Sequence, residues 1–241
     1  MNTIWEVQGD CGILKLNNPP QNYLDEPDFL DLENLKNVIK ESGVKGIIIT
    51  GYGRHFSGGA NLDNLKDLAK KPELLNEKIS KGIEILNFLD SLEIPLIAAV
   101  NGVCFGGGLE IALSCHIKIA ESKALFAFPE SNYNLLPGLG GVSRMHDLAD
   151  TNQTMQMVLH GDVINAEKAL DIKLIDYVVS SKDLFGFSLN LMDKMTNGRP
   201  LKVINSIIRS INNAKKMSFE QSIKEETALF CKLAIEEADK I

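Results

Sequence analysis

Patterns of buried β-strands alternate with patterns of amphipathic helices in the N-terminal part of the chain, and this alternation most constrains the fold. Apolar, largely β-branched runs at 44–50 (VKGIIIT) and 95–100 (PLIAAV) predict strands buried on both faces. Apolar residues at helical spacing predict a helix before each of them, at 29–41 and at 74–92. Strands that alternate with helices favour an α/β fold.

The C-terminal third has a different pattern. From about residue 145 onward the pattern is mostly helical, with a late strand predicted at 174–179, and residues 201–241 contain neither glycine nor proline. At about 150 residues per domain, a chain of 241 residues corresponds to one large domain, or one domain with an extension. We expect the helical part to form a separate layer, or an arm that contacts a partner subunit.

Charge and composition exclude several classes of protein. The chain has 25 basic and 32 acidic residues, a formal net charge of −7, which disfavours binding to nucleic acid. The four cysteines form no C-x-x-C pair, so neither a zinc knuckle nor a redox motif is indicated. The longest run without charge, 94–109, is too short and too rich in glycine to cross a membrane, and MNTIWEVQGD has no features of a secretory signal. We therefore expect a cytoplasmic protein without membrane contact.

Two glycine-rich loops follow the two buried strands, at 51–59 (GYGRHFSGG) and 101–108 (NGVCFGGG). Their free backbone N–H groups could bind a negative charge, and the amides of Ala60 and Gly107 are the best placed. Two such amides aimed at one point form an oxyanion hole, in which each donor contributes about 3–4 kcal/mol to the transition state. The alternative is that the glycines only allow tight turns. Neither loop has the spacing of a Walker-type or a dinucleotide-binding loop.

Two glutamates follow these loops and are candidate acid/base groups. Glu110 stands two residues after the triple glycine in an apolar segment, and Glu130 follows Pro129 at the end of an apolar strand pattern. Glu110 could instead only favour the N-terminal end of a helix, and Glu130 could be an ordinary exposed carboxylate. A pair of carboxylates beside one oxyanion hole fits the addition of water to an activated double bond.

These segments together resemble the crotonase superfamily, the enoyl-CoA hydratase/isomerase family. The resemblance rests on GRHFSGGANL (53–62), IPLIAAVNGVCFGGGLEIALSCHIKIA (94–120), FAFPESNYNLLPGLGG (126–141) and MVLHGDVINAEKALDIKLIDYVV (157–179). It extends from about residue 4 to about residue 238.

The resemblance implies an enoyl-CoA hydratase, or the reverse dehydratase, that stabilises a thioester enolate. The amides of Ala60 and Gly107 would bind the thioester carbonyl, Glu110 would hold and activate water, and Glu130 would carry the proton to the α carbon. Further residues expected to contact substrate are Gly59, Asn61, Leu62, Gly106, Tyr133, Pro137 and Gly138. No metal or cofactor is expected, and coenzyme A would arrive as part of the substrate, with an acyl-carrier-protein thioester as the other possible carrier.

The resemblance also implies the architecture. It predicts an α/β crotonase-like ββα spiral as the catalytic domain over residues 1–195, and a C-terminal helical trimerisation region over 196–241. A homotrimer or a dimer of trimers follows. The last helix common in the family is not seen in the sequence, so we expect a more open coenzyme A entrance, or a neighbouring subunit that closes the entrance differently.

Alternatives stay open at this point. One is an enoyl-CoA isomerase, or another enolate-forming acyl-CoA enzyme, which needs a single glutamate as proton shuttle. Another is a non-catalytic relative that only binds thioesters. The sequence departs from the common family pattern at Asn61 and Asp63, and Asp63 cannot help to hold phosphates. Arg54, Lys66, Lys70 or Lys71 could, although a solvated lysine face is the preferred interpretation.

Overall fold

The computed structural model describes residues 2–236 and 238. It contains a sheet of six strands and a sheet of three. In chain order the strands are β1 (Asn2–Gln8), β2 (Cys11–Asn17), β3 (Gly46–Gly51), β4 (Leu96–Val100), β5 (Val103–Phe105), β6 (Ile117–Glu121), β7 (Leu125–Ala127), β8 (Ile164–Asn165) and β9 (Tyr177–Val179).

The larger sheet has the order β1-β2-β3-β4-β6-β9. β1 runs antiparallel to β2, and every other neighbouring pair in this sheet is parallel. The smaller sheet has the order β5-β7-β8, with β5 and β7 parallel and β8 antiparallel to β7. β5, which starts the second glycine-rich loop, therefore pairs with the strand that leads to Glu130.

The helices connect and cover the sheets. They are α1 (Leu32–Ser42), α2 (Leu62–Ala69), α3 (Pro72–Ser91), α4 (Gly107–Leu113), α5 (Gly141–Leu148), α6 (Thr151–Met155), α7 (Ala166–Asp171), α8 (Leu184–Thr196), α9 (Leu201–Lys216) and α10 (Phe219–Glu236). A 3₁₀-helix covers Pro129–Tyr133, and a π-helical turn covers Gln156–His160. No helix in the described part of the chain is both long and apolar enough to span a membrane.

Both faces of the larger sheet are buried, as the β-branched runs predict. On β3, Ile47 and Ile49 belong to the main core, whereas Ile48 faces a second cluster with Leu184 and Met192 of α8. Side chains that follow one another on a strand point to opposite faces, so an unbroken apolar run is needed where both faces are covered.

The strands expected at 44–50, 95–100 and 174–179 and the helices expected at 29–41 and 74–92 are confirmed, with bounds shifted by a few residues. Several elements escaped sequence reasoning, among them β1, β5, β8 and α2. β5 is only three residues long and lies inside a stretch that looks like a loop, and its pairing with β7 is a tertiary contact. α2 begins at Asn61, whose Oδ1 accepts the N–H groups of Asp63 and Asn64, both at 3.2 Å.

The C-terminal helices pack mainly on each other. α8 packs across β2, β3, β4 and β6. α9 and α10 instead form an antiparallel pair joined by the short link at 217–218. The α/β fold is thus confirmed together with a helical C-terminal region. The boundary at 195/196, which falls at the end of α8, and the trimerisation role stay predictions.

Candidate active site

The two glycine-rich loops lie side by side because Ser57 pairs with the chain around β5. The Ser57 N–H donates to the Val103 carbonyl and the Phe105 N–H donates to the Ser57 carbonyl, both at 3.0 Å. Ser57 Oγ donates to the Asn22 carbonyl at 2.7 Å and accepts the Gly59 N–H at 3.1 Å. These bonds hold the end of the first loop against the start of the second.

The amides of Ala60 and Gly107 are free to bind a ligand. Leu24 forms hydrogen bonds with both neighbours of Ala60: the Leu24 N–H donates to the Gly59 carbonyl, and the Leu24 carbonyl accepts the Asn61 N–H, each at 2.8 Å. The Ala60 N–H therefore points away from Leu24. Among residues 2–236 and 238, no acceptor pairs with the N–H of Ala60 or of Gly107. Gly107 is buried, whereas Ala60 is exposed. Buried amides are almost always paired, so the free Gly107 amide beside a cavity suggests a ligand site, and the Ala60 amide is open to the same ligand.

Glycine at position 59 allows the two loops to approach closely. Its φ is +86°, and a Cβ there would lie 2.7 Å from the Phe105 carbonyl oxygen and 3.5 Å from the Gly107 nitrogen. An L-residue would be strained in this conformation and would also push the loops apart. The glycine thus brings the Ala60 and Gly107 amides together.

Glu110 is almost fully buried, and one of its oxygens is held rigidly. Oε1 accepts two backbone N–H groups, from Leu139 and Gly141, each at 2.7 Å. Burial raises the pKa of Glu110 to about 7, against the opposing effect of these two bonds and of the Arg144 charge. Oε2 is left for the cavity, on the side of Gly107. A carboxyl group with a pKa near 7 can give or take a proton at neutral pH.

Glu130 lies at the start of the 3₁₀-helix, beside Gly106. Its Oε2 is buried and, within the described part of the chain, has no hydrogen-bond partner. Burial, with a smaller contribution from the negative charge of Glu110, raises the pKa of Glu130 to about 7, and a backbone hydrogen bond at Glu130 opposes the rise. Each of the two carboxyl groups can therefore give or take a proton near neutral pH.

Both glutamates line one apolar cavity of about 230 Å³, which we call the leucine pocket. Its apolar walls come from Leu24, Leu65, Leu68, Leu75, Ile79, Leu135, Leu136 and Leu139, and Ala60 and Gly107 also line it. An adjoining groove of about 520 Å³ shares Ala60, Asn61 and Glu130 with the pocket. The amides and the carboxylates thus meet where the groove and the pocket join.

Most of the residues expected to contact substrate lie on these walls. Those on the groove are Gly59, Asn61, Leu62, Gly106 and Tyr133, and Gly138 lines the leucine pocket. Pro137 is buried and lines neither cavity, so its contact with substrate stays a prediction that the cavity walls do not support. Its Cβ packs instead against Gly141, where an added methyl group would be 2.8 Å away. The fixed geometry of Pro137 helps to shape the turn that binds Glu110.

Other residues singled out in the sequence have structural roles. His55 Nδ1 accepts the Val103 N–H and His116 Nδ1 accepts the Leu96 N–H, each at 3.1 Å. Phe126 and Phe128 are fully buried in the core. Cys104 also lies in the core and lines neither cavity.

The basic residues suggested as phosphate ligands do not line the site. Lys66 and Lys70 pair with Asp63 and Asp67 along exposed α2, at 3.2 and 2.7 Å. Arg54 lies on a separate groove with Lys15 and Lys182. The walls of the leucine pocket and the adjoining groove, as far as the structure describes them, include no lysine or arginine. A solvated lysine face describes α2 better than a phosphate site.

Sequence reasoning missed Leu24, Ser57 and Arg144. Leu24 and Ser57 orient the Ala60 loop, and Arg144 donates to the Leu139 carbonyl at 2.7 Å beside Glu110. Arg144 stands three residues after PGLGG, but a lone arginine in a helix pattern carries no signal of its own. In the described residues, no group of three His, Cys, Asp or Glu side chains could hold a metal ion.

The chain is similar to known enoyl-CoA hydratases. The family model for enoyl-CoA hydratase/isomerase matches residues 6–240. A probable enoyl-CoA hydratase of Bacillus subtilis is 31% identical over 222 residues, which is 90% of this chain and 84% of the relative. A short-chain-enoyl-CoA hydratase of Clostridium acetobutylicum is 30% identical over 95% of this chain and 88% of its own.

A solved structure extends the agreement to the fold. The crystal structure of an enoyl-CoA hydratase from Polaromonas superimposes with a TM-score of 0.89 at 26% identity, over 96% of this chain and 91% of that one. The motifs, the fold and the family model point the same way, and the chain belongs to the enoyl-CoA hydratase/isomerase family.

Proposed function

We propose that the protein is an enoyl-CoA hydratase, a hydro-lyase that adds water across the 2,3 double bond of a 2-enoyl thioester. The observation that carries the proposal is the pair Glu110 and Glu130. Both line the leucine pocket, both have a pKa raised to about 7, and both lie beside the free amides of Ala60 and Gly107. The hydratase relatives support the same conclusion.

In the proposed reaction the thioester carbonyl accepts the N–H groups of Ala60 and Gly107. These donors stabilise the enolate oxygen that forms as water adds to the β carbon. Glu110, held through Oε1, uses its free Oε2 to orient the water and take its proton. Glu130 delivers a proton to the α carbon. Two carboxyl groups with a pKa near 7 can supply both the base and the acid at neutral pH.

No metal or cofactor enters the proposed reaction, and coenzyme A is bound as part of the substrate. An acyl-carrier-protein thioester stays possible, since the reacting atoms are the same. The described walls of the leucine pocket are mainly apolar and include no lysine or arginine, so they offer no counter-charge to an acyl chain that ends in a carboxylate. We therefore propose short- to medium-chain apolar enoyl thioesters as substrates.

The test is hydration of crotonyl-CoA, followed as the loss of enoyl absorbance. We expect Glu110→Gln and Glu130→Gln each to lower kcat by at least about 100-fold, since each acts in proton transfer. The matched control is Glu73→Gln, an exposed glutamate in the first turn of α3, which should keep wild-type activity.

Two outcomes would favour the alternatives. Intact activity in Glu110→Gln together with its loss in Glu130→Gln would contradict the two-glutamate model and favour a thioester isomerase. No turnover on any enoyl thioester, with binding retained, would indicate a non-catalytic relative.

We also propose a homotrimer or a dimer of trimers. Large apolar side chains are exposed along the two C-terminal helices: Ile207, Ile211, Phe219, Ile223, Phe230 and Ile235. Such a surface is unusual on a monomer and suits contact with another copy of the chain. Light scattering coupled to size exclusion would measure the mass, and a monomer would contradict the proposal.

A further inference from the structure

Arg144, on α5, forms a fork between helix α3 and the turn that binds Glu110. Its Nη1 donates to the Leu139 carbonyl at 2.7 Å. Its Nε and Nη2 donate to Asp90 Oδ2 at 3.0 and 2.6 Å, and Nη2 also approaches Asn87 Oδ1 at 3.3 Å. Asp90 and Asn87 are both on α3, so the guanidinium connects two helices and one loop carbonyl.

Both backbone polar groups of Leu139 are therefore hydrogen-bonded to side chains. Its N–H donates to Glu110 Oε1 at 2.7 Å, and its carbonyl accepts Arg144 Nη1 at 2.7 Å. The next residue, Gly140, has a φ of +93°, and a Cβ there would lie only 2.7 Å from Arg144 Nη1. The turn is thus shaped around the guanidinium, and Gly141 then offers the second N–H to Glu110.

We propose that Arg144 is a positioning residue for the acid/base pair. It holds the Leu139–Gly141 turn so that the two turn amides fix Glu110 Oε1 and leave Oε2 directed into the leucine pocket. Arg144 does not line that pocket, so it acts through the turn rather than on the substrate. The effect on catalysis rests on the proposed hydratase function, whereas the effect on the turn does not.

The shape of the side chain matters as much as its charge. A guanidinium donates in several fixed directions at once, whereas an ammonium on a flexible chain is a point charge. Lysine at 144 could keep the positive charge near Glu110 but could not bridge Asp90, Asn87 and the Leu139 carbonyl together. Geometry and charge can therefore be separated by substitution.

The charge of Arg144 also acts on Glu110 directly, because it opposes the rise in the pKa of Glu110 that burial causes. The other charged groups near this arrangement are Asp90, paired to Arg144, and Glu130, across the pocket. Loss of the arginine charge should leave Glu110 protonated to a higher pH.

The experiment compares Arg144→Gln and Arg144→Lys with wild type in two measurements. Hydrogen–deuterium exchange of peptides covering the Leu139–Gly141 turn reports the geometry without any assay of activity. The pH profiles of kcat and kcat/KM on crotonyl-CoA report the catalytic effect. Arg209→Gln is the matched control, because it removes a bidentate ion pair to Glu93 outside both cavities.

In Arg144→Gln we expect faster hydrogen–deuterium exchange in the turn and a kcat lower by roughly 10–100-fold, with little change in KM. The acidic limb of the pH profile of kcat should move up by about half a pH unit. Arg144→Lys should loosen the turn and lower kcat less, with the acidic limb unchanged. Arg209→Gln should match wild type in the exchange of the turn, in kcat and in the acidic limb of the pH profile.

The proposal is overturned if Arg144→Gln keeps wild-type exchange in the turn and a kcat within about twofold of wild type, a change too small for a lost positioning contact. If Arg144→Gln fails to fold, Arg144→Lys takes its place. Wild-type exchange in the turn and a wild-type kcat in Arg144→Lys would then overturn the proposal. Absence of turnover in the wild-type protein would refute the hydratase proposal alone, since the exchange result would still judge the role of Arg144 in the turn.

Discussion

The carboxylate of Glu130 lies directly against the Cα of Gly106, so that a methyl group on this glycine would come within 2.7 Å of Glu130 Oε1. Gly106 also has a φ of +49° and precedes Gly107, whose amide is one of the two free donors. One glycine thus makes room for the proposed proton donor and sets the direction of the proposed oxyanion donor.

Gly106→Ala should therefore remove activity and also lower stability. The methyl group would displace Glu130 and strain the backbone, and we expect a loss of about 1–3 kcal/mol in the free energy of unfolding together with a fall in kcat of at least about 100-fold. Steady-state kinetics and thermal unfolding measure the two effects. Gly186→Ala is the control, because a Cβ there meets nothing within 4 Å. Near-wild-type kinetics in Gly106→Ala would contradict the close packing of Glu130.

Burial of Glu110 should make the stability of the protein depend on pH. Its folded pKa of about 7 lies above the ordinary value of 4.5 for a glutamate, so the folded state holds the proton more tightly than the unfolded state. The stability from this group is fully present below pH 4.5 and is lost as pH rises through 7, by up to about 3 kcal/mol.

Glu110→Gln stays neutral at every pH and keeps an oxygen that can accept the Leu139 and Gly141 N–H groups. Its melting temperature should equal that of wild type near pH 5 and exceed it by several degrees, roughly 3–8 °C, at pH 8. Thermal unfolding of both proteins across this range measures the difference, with Glu73→Gln as the control. A difference that does not grow with pH would show that Glu110 is not held in its protonated form by burial.

Gly138 should set the length of acyl chain that the leucine pocket accepts. A Cβ at Gly138 would meet only Ile79 Cδ1, at 3.6 Å, an ordinary contact, and its φ is not in the left-handed region. Gly138→Val should therefore fold normally and fill part of the pocket. We expect kcat/KM for an eight-carbon enoyl-CoA to fall about tenfold relative to crotonyl-CoA, in line with 1–3 kcal/mol per misplaced methylene group.

Ile79→Ala is the complementary variant, because it enlarges the same part of the pocket and should shift preference toward the longer chain. The ratio of kcat/KM for the two substrates is the measurement. If both variants keep the wild-type ratio, the acyl chain occupies a different cavity.

Much of the fold could be predicted because local patterns report burial. The run at 44–50 indicates a strand covered on both faces, and the structure places Ile48 and Ile49 in two separate cores. The short strand β5 could not be predicted in this way, since its three residues become a strand only by pairing with β7. The candidate site residues divide in the same way between local and tertiary signals. The glycines and glutamates of the motifs could be found from the sequence. Arg144 could not, because its role depends on Asp90, which is far away in the chain.

By itself the sequence determined which groups are available: two glycine-rich loops after buried strands, and two glutamates after the loops. Only the tertiary structure decided what those groups can do. It pairs both neighbours of Ala60 with Leu24 and leaves the Ala60 amide free. It also buries Glu110 and Glu130 in one pocket, where the cost of removing a charge from water raises both pKa values to about 7. Desolvation depends on everything that surrounds a group in space, and chain order alone does not specify that.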